Sequence, residues 1–69
     1  MRIELWFNNE TTDPERPWTV SLCDDSGQEE QLLVTRSDYE AAKRSAQAHA
    51  SNRHLDAVYR ESNGTTYAL

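Results

Sequence analysis

The sequence predicts one α+β domain over residues 1–69: an antiparallel or mixed sheet of about five strands with one helix on one face, in the order βββαββ. Strand-like alternation recurs near the start and after a proline-containing gap. An alanine-rich run with a helix-start signature follows, and two short segments joined at an Asn-Gly pair close the chain. A chain of 69 residues has room for one thin core, because small domains bury a low fraction of their unfolded surface.

Ile3, Leu5 and Phe7 alternate with Arg2, Glu4 and Trp6, which is the period of a strand with one buried face. Asn8 to Pro17 contains both prolines and no aliphatic side chain, and so reads as a loop. Trp18, Val20 and Leu22 resume the alternation and end at the turn-forming Asp24-Asp25-Ser26-Gly27. Gln28 to Thr35 is the third strand, expected to pair with the second as a hairpin. Ser37-Asp38-Tyr39-Glu40 has the spacing of a capping box, so a helix is expected to start with Ser37 as its cap and to fade at Ser51-Asn52. Within it Tyr39, Ala42, Ala46 and Ala50 share one face, small enough for close approach to a sheet. Leu55 to Arg60 and Thr65 to Leu69 are the last strands, joined by a two-residue turn at Asn63-Gly64. One helix covers one sheet face, so Trp6, out of phase with Ile3, Leu5 and Phe7, is expected on the uncovered face with Val58.

Cys23 is the only cysteine, which rules out an internal disulfide and suits a reducing compartment, so the chain reads as cytoplasmic. No secretory signal or membrane-length apolar run is visible. The net charge of −5 is unevenly spread. Residues 1–40 hold ten acids against three arginines, a net −7, and residues 41–69 hold two acids against four bases, a net +2. Such a surface repels nucleic acid and attracts basic protein surfaces, the more so at low salt.

Catalytic and metal constellations are weak. His49 and His54 lack the four-residue spacing of a helical metal pair, and Cys23 and the serines sit in no nucleophile motif. With only Gly27 and Gly64 there is no glycine-rich phosphate loop. No cofactor, no metal and no catalytic residue is expected, and the Lys43-Arg44 doublet reads as a solvated helix face rather than a nucleic-acid contact. What remains is the acidic segment. Glu10, Asp13, Glu15, Asp24, Asp25, Glu29 and Glu30 stand against Arg16 alone and are expected to form one negative patch, with Trp6 as an apolar anchor beside it. Solubility is the other reading of those carboxylates, and a second hydrophobic cluster the other reading of Trp6.

Pro17-Trp18-Thr19-Val20, the helix Tyr39-Glu40-Ala41-Ala42-Lys43-Arg44-Ser45-Ala46 and the closing Val58-Tyr59-Arg60-Glu61-Ser62-Asn63-Gly64-Thr65 resemble small bacterial and phage domains such as the DUF2188-like domains of unknown function. In size, element order and acidity the chain also resembles phage-encoded anti-CRISPR proteins of the DNA-mimic type. That resemblance implies an inhibitor in the cytoplasm of a bacterial host. It would block target-DNA recognition by binding the basic, PAM-reading surface of a type I surveillance complex, with no direct contact to nucleic acid or membrane. The alternatives are a structural or homodimeric accessory domain, its bare sheet face packed on its own copy, and a small enzyme with an Asp/His-lined pocket. The state is a monomer or a homodimer.

Overall fold

The computed structural model describes all 69 residues. Five strands, β1 (Arg2–Phe7), β2 (Trp18–Cys23), β3 (Glu29–Arg36), β4 (Ala57–Arg60) and β5 (Thr66–Ala68), form one sheet, and the helix α1 (Tyr39–Arg53) lies between β3 and β4 in sequence. The strand order is β3-β2-β1-β4-β5. All neighbours are antiparallel except β1 and β4, which run parallel, so the sheet is mixed. A parallel pair needs a crossover. From β3 to β4 is three strand spacings, about 14 Å, and the 15-residue α1, about 22 Å long, carries the chain across one face.

The alternation in β1 sets the two faces. Ile3 and Leu5 stand opposite Leu22 and Val20 of β2, and opposite Ala57 and Tyr59 of β4. With Ala42, Ala46 and Ala50 of α1, Ile3, Leu5 and Val20 form the fully covered core. The alanines let the helix axis approach the sheet, and Leu33, Val34, Leu55 and Leu69 pack around the rim. Trp18 closes one end of this core. Its ring meets Phe7 at 5.0 Å and Tyr39 at 5.4 Å, both edge to face, the geometry that the aromatic quadrupole favours.

Four local details differ from what the sequence predicts, the first being that β4 begins at Ala57 rather than Leu55, because Leu55 closes the end of α1. The helix cap is Asp38, not Ser37: the Asp38 side chain accepts from the Ala41 amide at 2.8 Å. A carboxylate both caps the free amides and interacts with the helix dipole, an advantage a serine hydroxyl lacks. The helix also runs one residue past Asn52, to Arg53, and stops at His54 in the left-handed region at φ 56°. There the His54 amide bonds Ser51 O and the Leu55 amide bonds Ala50 O, a Schellman arrangement sealed by Leu55 against the core. The last turn is longer than two residues. Gly64 donates to Glu61 O, Glu61 donates to Thr65 O, and Gly64 takes φ 91° while Asn63 keeps a negative φ.

The β2–β3 turn repeats that design: Gly27 donates to Asp24 O, Asp24 donates to Gln28 O, and Gly27 takes φ 89°. Both hairpins are thus the longer type, in which a glycine in the left-handed region follows a tight turn.

Candidate functional site

The face away from α1 carries Glu4 and Trp6 of β1, Thr19, Ser21 and Cys23 of β2, and Arg60 of β4, as the pairings Glu4↔Ser21, Glu4↔Val58 and Trp6↔Thr19 require. Alternation alone places Glu4 in water. Instead its side chain is 0% exposed. Arg2 Nε donates to Glu4 Oε2 at 2.8 Å. Arg60 Nη1 lies 2.8 Å from Oε1, bringing the charges together without an aligned hydrogen bond. Two arginines on one carboxylate offset the desolvation that would otherwise make this position prohibitive.

The β2–β3 turn folds over this pair. Arg60 Nη1 donates to Gly27 O at 3.2 Å, and a Cβ on Gly27 would stand 3.7 Å from Glu4 Oε2. Arg60 also lies over the Trp6 ring, its guanidinium carbon 4.8 Å from the centroid, a cation–π contact that fixes both side chains. Trp6 Nε1 is buried without a hydrogen-bond partner. Beside Glu4, Ser21 Oγ donates to Glu29 Oε1 at 2.5 Å.

Cys23 is completely covered on the same face. Burial, and then the carboxylates of Glu4 and Glu29, push its thiol up to about 11, with Arg60 partly opposing them. A thiol raised in the folded state favours folding while it stays protonated. Its contribution is complete below the ordinary value of 9.0 and is lost as the pH rises to about 11. The stability difference between the wild type and Cys23→Ala, read by urea denaturation, should therefore shift against the wild type across that window. Iodoacetamide should alkylate Cys23 slowly in the native protein and rapidly once urea opens the fold.

Two shallow grooves flank Trp6. One, of about 320 Å³, lies toward β4 and is lined by Trp6, Asn8, Glu10, Arg60 and Glu61 among others. The second, of about 310 Å³, lies toward β3, with Glu10 and Glu29 facing it together with Thr11, Thr12, Thr19, Thr35 and Leu32. Trp6 therefore does stand on the uncovered face, as a ridge between grooves.

The seven carboxylates expected to form one patch are divided. Asp13 and Glu15 lie in the connection at the Phe7/Trp18 end of the first hairpin, whereas Asp24 and Asp25 lie in the turn at the Arg2/Cys23 end. Five residue steps, about 17 Å, separate those ends. Asp13 is paired with Arg16 at 3.0 Å and Asp25 with the N-terminal ammonium at 3.0 Å. Asp24 accepts from Ser26 Oγ and from the Ser26 and Gln28 amides, and these bonds hold its carboxyl below the usual range. Asp24 Oδ1 is thus committed to the turn. Glu15 and Glu30 are exposed, and Glu10 and Glu29 alone of the seven share a groove.

No group of three or more His, Cys, Asp or Glu is placed to hold a metal ion. No helix is long and apolar enough to cross a membrane. Comparison of the chain with protein-family models, with curated proteins and with solved structures gives no match.

Proposed function

We propose that this chain is a non-catalytic binding protein whose carboxylates engage a lysine- and arginine-rich protein surface that otherwise holds nucleic acid, making it an inhibitor of a defence complex such as a type I CRISPR surveillance complex. The supporting observation is that Glu10, Glu15, Glu29 and Glu30 have no ion-pair partner in the chain, while Arg2 and Arg60 are both used on the buried Glu4. Free carboxylates can stand in for phosphates against basic side chains, and Glu10 and Glu29 do so from one groove. A dimer closing the uncovered face draws less support, because the grooves flanking Trp6 are lined mainly by polar residues, with Trp6, Phe7 and Leu32 their only hydrophobic ones.

The proposal is tested with a purified type I surveillance complex and a PAM-bearing DNA duplex in a gel-shift titration. The wild-type protein is expected to abolish the DNA shift, and a Glu10→Lys, Glu15→Lys, Glu29→Lys, Glu30→Lys variant is expected to leave it intact. Undiminished DNA binding at saturating wild-type protein would remove the CRISPR assignment, and equal potency of the charge-reversed variant would remove the role of the carboxylates.

A further inference from the structure

The groove between Trp6 and β3 has a lining chemically like the surroundings of the Arg60 that already lies over Trp6. The strand order puts β4 on one side of β1 and the β2–β3 pair on the other. On the β4 side, Arg60 lies over Trp6 with its charge against the Glu4 carboxylate. On the β3 side, Trp6 again borders a space flanked by carboxylates, Glu10 and Glu29, and no basic residue lines it. Only Oε1 of Glu29 is engaged, by Ser21, so its other oxygen has no partner in the chain. We infer that this groove receives an arginine side chain from a basic segment of a protein partner.

The ligand chemistry follows from the lining. A guanidinium presents a flat face to an aromatic ring and a fork of donors to carboxylates, whereas an ammonium is a strongly hydrated point charge that uses neither feature as well. The hydroxyls of Thr19 and Thr35 add acceptors on the groove floor, and the half-exposed Leu32 offers apolar surface for the arginine methylenes. The groove also opens toward β3, the outermost strand, which leaves room for a partner chain to approach alongside.

This inference rests on the binding function proposed above and narrows it to one subsite. It is tested on the full chain by NMR titration with hexa-arginine and hexa-lysine peptides. Hexa-arginine should move the Trp6 indole, Thr19 and Thr35 resonances and bind at least about fivefold more tightly than hexa-lysine. Glu10→Gln with Glu29→Gln should weaken it by about tenfold with the spectrum of the folded protein retained. Trp6→Leu should erase the preference for arginine. Equal binding of the two peptides, or shifts confined to Glu15, Asp24 and Glu30 with Trp6 unmoved, would overturn the subsite. If the gel-shift competition persists in the Glu10→Gln, Glu29→Gln variant, the subsite fails and the broader function stands; if wild-type protein neither binds either peptide nor displaces DNA, both fail.

Discussion

Leu5→Ala is expected to leave little folded protein at room temperature. The fully covered apolar core contains only three branched side chains, Ile3, Leu5 and Val20, with three alanines of α1 against them. Leu5 is 0% exposed and sits on the central strand, between Val20 on one side and Tyr59 on the other. Truncating a buried leucine removes its transfer free energy and leaves a cavity, a loss of about 2–5 kcal/mol. A domain of this length holds in total roughly 3–10 kcal/mol. The alanines cannot extend into the gap, and the crossover fixes the helix at both ends. Urea denaturation followed by tryptophan fluorescence should show the midpoint fall by more than half or the native baseline vanish. Leu32→Ala is the matched control: Leu32 is 54% exposed, so its removal should change the midpoint little. Equal effects of the two substitutions would mean that the core lies elsewhere.

Element order was legible from the chain because each element carries a local signature. The alternation at Ile3-Leu5-Phe7 and Trp18-Val20-Leu22 and the alanine face of α1 need no knowledge of what they pack against, and the structure buries Ile3, Leu5, Val20 and the alanines as expected, leaving Phe7 at the strand end half exposed. What stayed hidden depends on pairing. Glu4 looks like a solvent-facing strand residue until the parallel register of β1 with β4 brings Arg60 beside it, and 49 residues of chain separate those two strands. The available hint was Arg2-x-Glu4, opposite charges on the same side of one strand, but a lone pair of that kind is usually solvated. The carboxylates misled for a similar reason. Glu15 and Asp24 are nine residues apart in sequence, yet strand β2 holds them at opposite ends of the sheet, so nearness along the chain did not mean nearness in space. The groove shared by Glu10 and Glu29 is the converse case, formed by residues nineteen apart.

Removing the Glu4 charge is the second change expected to act strongly, and its sign depends on what else is removed. In Glu4→Leu, Arg2 and Arg60 lose their shared carboxylate while the turn at Gly27 still presses on them. Breaking a buried pair from one side ordinarily costs about 3–5 kcal/mol, but the two arginine side chains keep 29% and 26% of their surface in water, which lowers the expectation to about 2–4 kcal/mol. The combined Arg2→Met, Glu4→Leu, Arg60→Met variant leaves no charge unpaired and should recover to within about 1 kcal/mol of the wild type or exceed it. The recovered protein should still differ in one respect. Without Arg60 the Trp6 ring loses its cation and the Gly27 carbonyl loses its donor, so the β2–β3 turn should exchange its amide hydrogens faster even where global stability is restored. A single Glu4→Leu variant as stable as the wild type would show that the arginines reach solvent freely and that the turn does not hold them. Recovery of stability without faster exchange at Ser26 to Gln28 would show that the ion network does not anchor the turn, which the Asp24 side-chain bonds and the Asp24–Gly27 and Asp24–Gln28 backbone bonds then hold closed by themselves.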